Sequence, residues 1–154
     1  MKKFLALLLL SGFISNAALA ADIEGLWFTE NQAAQVKVYQ CEDRFCGEIV
    51  WLEEPTWDQD DVDNNKDAVL GAPKIDLKND VESLRSRPIL GMHMLNGLKK
   101  VENNQYEDGK IYDAESGNTY SCEAKLADAG DKLEMTGYIG VSWFGRTTTW
   151  TRVQ

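Results

Sequence analysis

The chain has little of the chemistry that metal centres and hydrolases use. Its 154 residues include three cysteines and one histidine, His93. A zinc site takes about four ligands from cysteine, histidine or carboxylate, and the spacing of Cys41, Cys46, Cys122 and His93 fits no zinc pattern. Neither G-x-S-x-G nor H-E-x-x-H occurs, so no catalytic arrangement is recognisable and no enzymatic activity, metal or cofactor is expected. Basic residues are also scarce, 16 Lys and Arg against 25 Asp and Glu, for a formal charge of −9. Phosphate backbones and anionic lipid surfaces repel such a chain, which argues against nucleic acid as a partner. After the first 20 residues no apolar run approaches the ~20 residues that a membrane-spanning helix needs.

What is present begins with MKKFLALLLLSGFISNAALA. Lys2 and Lys3 form a positive start, Phe4 to Leu10 begin an apolar stretch, and Ala18-Leu19-Ala20 is an A-x-A cleavage site. The pattern is that of a secretory signal peptide. Residues 1–20 are therefore expected to be removed, leaving 21–154 as one domain with one core. Removal takes away two lysines and no acid, so the mature chain is more acidic still. No cysteine follows the cleavage site, so lipid attachment there is not indicated.

An exported chain meets oxidising conditions, in which disulfides persist. Cys41 and Cys46 stand in VYQCEDRFCGEIVWL, between two strand-like runs. Redox pairs are usually C-x-x-C at a helix start, so this pair reads as a staple across a hairpin. With Cys41 opposite Cys46 around a loop of residues 42–45, Val38 faces Ile49 and Val36 faces Trp51. Side chains alternate along a strand, so all four then share the face opposite the sulfurs. Cys122, in TYSCEAKL, alternates with Tyr120, Ala124 and Leu126 and reads as a small buried hydrophobe.

Strand signals dominate the rest. Strands are expected at 25–29, 35–41, 46–52, 89–95, 106–112, 118–127, 131–139 and 145–153, with turn residues between the later ones. Pairing Leu126 with Leu133 sets Tyr120, Cys122 and Ala124 opposite Ile139, Gly137 and Met135, and Lys125 opposite Glu134. Eight short antiparallel strands with one apolar face predict an all-β fold: a small up-and-down barrel without open edges. Residues 53–87 interrupt the rhythm as a long acidic loop. Asn79-Asp80-Val81-Glu82 resembles a helix cap, which predicts a short helix at 80–86, ending before Arg87-Pro88. Within the loop, Asp61, Asp63 and Asn65 have calcium-loop spacing, but Lys66 and Ala72 stand where glycine and a bidentate glutamate are required. The segment therefore reads as a solvated acidic loop. His93, in PILGMHML, reads as a packed or hydrogen-bonded core histidine. Trp143 and Phe144 stand at a hairpin tip where polar residues are usual; they either tuck back onto the domain or form a rim or docking patch.

Gly25-Leu26-Trp27 opens the first strand and Thr149-Trp150-Thr151-Arg152 closes the last. Antiparallel pairing of these strands would set the Arg152 guanidinium over the Trp27 indole. The arrangement resembles lipocalins, in which G-x-W and a basic residue near the last strand close the barrel. That resemblance gives Gly25, Trp27 and Arg152 a structural role. A fuller resemblance spans nearly the whole chain after residue 20. GLWFTE, VYQCEDRFCGEIVWL, SRPILGMHMLNGLK, GKIYDAESGNTYS and GYIGVSWFGRTTTWTR resemble, in order, the blocks of the bacterial secreted domain of unknown function 2147. It implies a lipocalin-like barrel exported to the periplasm and implies no activity or substrate. The acidic stretch 56–72 departs most from these blocks.

Small antiparallel barrels can enclose one ligand. The expected function is binding of a small apolar or amphiphilic molecule by a monomer or weak homodimer. Val36, Val38, Ile49, Trp51, Tyr120, Met135 and Ile139 are expected to line the cavity, with Arg87 or Arg146 meeting a polar head group. The alternative is an envelope interaction module without a small ligand, docking through Trp143-Phe144 or the acidic loop.

Overall fold

The fold is seen in a computed structural model that describes residues 22–141 and 145–154. The expected signal peptide and the Trp143-Phe144 tip lie outside the described residues. Eight strands form a closed antiparallel barrel in simple up-and-down order. They are β1 (Gly25–Phe28), β2 (Ala34–Cys41), β3 (Arg44–Leu52), β4 (His93–Glu102), β5 (Gln105–Asp113), β6 (Asn118–Ala127), β7 (Lys132–Tyr138) and β8 (Arg146–Arg152). Among the described residues no helix is long and apolar enough to cross a membrane.

The β2–β3 hairpin is tighter than the sequence suggests. Cys41 pairs with Arg44, Val38 with Gly47 and Val36 with Ile49, around a turn at Glu42-Asp43. Glu42 has φ +57°, the left-handed geometry that such a short turn demands. The register is thus two residues from the expected one. A slip of two preserves the faces, because side chains alternate with period two. Val36, Val38 and Ile49 still point inward and are buried. Cys41 and Cys46 are disulfide-bonded, 5.8 Å apart at Cα, and belong to the opposite face. The expectation fails at Trp51. An irregularity between Gln35 and Val36 leaves Val50 out of the pairing and sets Trp51 opposite Gln35, which turns its ring outward. It is 40% exposed and meets Phe28 edge-on at 6.0 Å.

The β6–β7 pairing is as expected from Leu126–Leu133 through Cys122–Gly137, with Lys125 opposite Glu134. It ends at Ser121–Tyr138, so Ile139 falls beyond the ladder and is exposed rather than lining the interior. The fourth strand is shifted. The segment 89–92 is loop, and β4 runs on to Glu102. The left-handed Gly97 (φ +76°) spaces the buried Leu95 and Leu98 three apart, which breaks the alternation that marks a strand. The expected helix at 80–86 is only a 3-10 turn at Glu82–Leu84, with no side-chain cap at Val81. Asn79 is engaged elsewhere, as described below. The acidic stretch instead forms a short helix, α1 (Gln59–Asn64), started by a reciprocal cap between Asp58 and Asp61.

One end of the barrel is closed. The Arg152 guanidinium lies 4.1 Å from the centre of the Trp27 ring. It donates to three carbonyls: Nε to Gly130 (2.6 Å), Nη1 to Glu24 (2.8 Å) and Nη2 to Asp22 (2.7 Å). A Cβ at Gly25 would stand 2.6 Å from Arg152 Nη1, so only glycine allows the approach. Trp27 Nε1 donates to the Ile23 carbonyl, and Tyr106 Oη donates to Asp22 Oδ1 at 2.6 Å. Burial raises the Tyr106 pKa, and the Asp22 hydrogen bond adds to it. Burial works to raise Asp22 as well, but hydrogen bonds from Tyr106 and the Ile23 N–H, with Lys100 nearby, outweigh it and leave the carboxyl below its ordinary range.

Candidate functional site

The interior is graded. At the closed end Ile23, Trp27, Val38, Phe45, Leu98, Tyr106, Leu126, Leu133 and Trp150 are all buried. The middle holds Val36, Leu95, Cys122, Ala124 and Met135, with glycines at two inward positions. A Cβ at Gly47 would stand 3.0 Å from both Leu95 Cβ and Val36 Cγ1, and one at Gly109 would stand 2.7 Å from Cys122 Sγ. Both layers are therefore filled by neighbouring side chains. Burial pushes the Cys122 thiol up to about 12, which makes it an inert filler there.

The other end differs. There the inward positions of β5, β6, β7 and β8 are Ile111, Tyr120, Gly137 and Thr148. Ile111 pairs with Tyr120, and Tyr120 and Thr148 share the inward faces of Cys122 and Trp150. All four are only half-buried. A Cβ at Gly137 would lie 3.7 Å from Tyr120 Cβ and 3.8 Å from Ile111 Cγ2, ordinary contact rather than collision. Ile49, across the barrel, is buried. Of the expected lining residues, Ile49 and Tyr120 stand at this mouth. Met135 lies beneath it, while Val36 and Val38 sit in the filled layers.

The long connection 53–92 is fastened beside the mouth. Asp76 is fully buried and accepts four hydrogen bonds from three residues. Arg87 donates to Oδ2 from Nε (3.0 Å) and Nη2 (2.9 Å), Asn79 Nδ2 donates to Oδ2 (2.8 Å), and Tyr112 Oη donates to Oδ1 (2.6 Å). A buried carboxylate needs such partners. Burial, then the bond to Asp76, raises the Tyr112 pKa. At Gly117, in the β5–β6 turn, φ is +75° and a Cβ would collide with the Lys78 carbonyl oxygen. Arg87 is thus committed to a latch, with its guanidinium 5.1 Å from the Tyr112 ring centre, and is not free for a head group. Arg146 is less engaged among the described residues: its side chain is 83% exposed and pairs with Glu30 at 3.6 Å. The latch was not legible in advance, because Asp76 lies within KIDLKND and its partners Arg87 and Tyr112 are distant in sequence.

Glu54, Asp58 and Asp61 converge closely enough to suggest a cation site. The Lys74 ammonium already serves it, 3.0 Å from Asp61 and 3.4 Å from Glu54. His93 is exposed, on the outer wall, with Nδ1 3.0 Å from Tyr39 Oη, and is not a core residue. Ile139 and Val141, which precede the undescribed tip, are 79% and 57% exposed.

A closed eight-stranded up-and-down barrel, plugged at one end and lined by half-buried side chains at the other, has a lipocalin-like fold. The chain belongs to the family described as "Uncharacterized protein conserved in bacteria (DUF2147)", whose model matches residues 25–152. It is similar in structure to a protein described as "Protein HP1028 from the human pathogen Helicobacter pylori belongs to the lipocalin family". The TM-score is 0.70 at 23% identity, covering 87% of this chain and 84% of that one, a likeness that shows the fold. No curated protein matches.

Proposed function

We propose that the protein is an exported carrier that holds one small apolar or amphiphilic molecule at the mouth of its barrel. The observation that carries this reading is the break in burial: filled layers below, half-buried Ile111, Tyr120, Gly137 and Thr148 above. Concave apolar sites with a few polar groups are where such ligands bind. Met135 forms the floor, Ile49, Ile111 and Tyr120 the apolar wall, and Arg146 meets an anionic head. The periplasm is the proposed location, supported by the N-terminal sequence pattern and by the Cys41–Cys46 disulfide.

The test fills the mouth. Gly137→Leu places a side chain between Tyr120 and Ile111 at a position without left-handed φ. Cis-parinaric acid, a fluorescent carboxylate-headed chain, should bind the parent, and the substitution should weaken it by about tenfold or more without unfolding the barrel. Equal affinity in parent and variant would contradict the proposed location.

A further inference from the structure

The mouth is bounded unequally. On the β5–β6 side the Asp76 latch and the Lys78–Gly117 approach fasten the long connection to the wall. On the β8–β1 side the wall is incomplete. Every other neighbouring pair of strands has at least three register pairs, and most have five or more, whereas β1 and β8 share only Trp27–Arg152 and Phe28–Thr151. The chain then leaves β1 to make its own turn, with Gln32 N–H donating to Thr29 O and Thr29 N–H to Ala34 O. Among the described residues, no strand pairs with the first half of β8 on that side.

Hydrogen-bond phase identifies the exposed groups. Val153 N–H donates to the Leu26 carbonyl, so odd-numbered residues of β8 aim their peptide groups at β1. Arg152 N–H donates to the Asp131 carbonyl, so even-numbered residues aim at β7. Thr151 meets Phe28. The next two in phase are Thr149 and Thr147, and among the described residues no backbone group pairs with either on the β1 side. Unpaired strand edges normally persist only where water reaches them. Inside this gap lies half-buried Thr148, one of the four mouth positions. Outside it lies an apolar strip of Leu26, Phe28 and Trp51, with Leu26 38% and Trp51 40% exposed. Across its outer end runs one exposed ion pair, Arg146 to Glu30 at 3.6 Å. Such a pair contributes little stability and breaks readily.

We infer that the seam between β8 and the β1–β2 turn is the portal of the carrier, through which the apolar tail of an anionic amphiphile slides sideways into the mouth. The inference rests on the carrier reading. The tail passes from the Leu26–Phe28–Trp51 strip to Tyr120 and Ile111. The anionic head exchanges Glu30 for itself on Arg146 and accepts hydrogen bonds from the Thr147 and Thr149 N–H groups.

Two measurements test it. Amide hydrogen exchange on the ligand-free protein reads the seam without any ligand. Thr147 and Thr149 should exchange far faster than Thr148 and Trp150, whose N–H groups face β7, and equal protection would overturn the open seam. The second measurement bridges the seam. Glu30→Cys with Arg146→Cys, joined by a short bis-maleimide in a Cys122→Ala background, should slow both association and dissociation of cis-parinaric acid by about tenfold relative to the unbridged double variant, which itself should bind more weakly than the parent because it lacks the Arg146 guanidinium. The same bridge between Lys78→Cys and Ser116→Cys, on the latched side, should leave both rates alone. If the seam bridge leaves the rates unchanged, or the latched-side bridge slows them, the portal is elsewhere. A parent protein that binds no probe overturns the carrier reading and the portal with it, while the exchange data still decide whether the seam is open.

Discussion

Tyr106 and Asp22 show how single groups hold the closed end. Their 2.6 Å hydrogen bond joins the segment before β1 to β5, beneath the Phe45 ring that meets Tyr106 edge-on at 5.4 Å. The bond also makes stability depend on pH in two places. The folded Asp22 value lies below its ordinary 3.8, so its contribution is complete above about 3.8 and is lost as pH falls through the depressed value. The folded Tyr106 value lies above its ordinary 10.0, so its contribution is complete below about 10 and is lost as pH rises through the raised value. Tyr106→Phe should therefore cost about 1–2 kcal/mol near neutrality. Urea midpoints across the pH range should also fall less steeply at both extremes than in the parent. Parent-like slopes would show that the bond does not form. At this scale the sequence was partly legible. Trp27 and Arg152 could be placed together because each sits at a chain end that an antiparallel barrel must bring into contact. Tyr106 and Asp22 could not, since nothing local distinguishes them from any other tyrosine and acid.

The β2–β3 hairpin is the element whose chemistry was most legible. Its apolar alternation fixed the inward face, and a register shift of two leaves that face unchanged. Trp51 was misplaced because a bulge inverts everything beyond it, and no residue in EIVWL announces one. The disulfide closes a short loop, so it should contribute only ~2 kcal/mol in the chain-entropy model. Labelling the unreduced, denatured protein with a maleimide should find one thiol, Cys122. In the native state that thiol should resist labelling, since burial holds it protonated. Two further thiols in the denatured protein would show that the staple is absent. The connection 53–92 was the least legible element. Its capping signals are real, yet the cap that operates is Asp58 rather than Asn79, whose side chain serves the Asp76 cluster instead.

For the whole molecule, the closed barrel was the expectation from eight strands with one apolar face each, because closing the sheet removes its exposed edges and buries that face. The depth of any ligand site did not follow. Alternation says which residues point inward but not which of them are filled by neighbours across the barrel. Val36, Val38 and Met135 satisfy the pattern as well as Tyr120 does, and only their burial, with the close approaches at Gly47 and Gly109, marks the layers that neighbours fill. The proposed carrier function therefore depends on the mouth holding one small molecule. Native mass spectrometry of the protein purified from its own cell envelope measures this most directly. The expected result is a species heavier than the polypeptide by one small molecule, in one-to-one proportion, released by organic solvent and missing in Gly137→Leu. A bare polypeptide mass for both proteins, with no small molecule in the solvent extract, would contradict it.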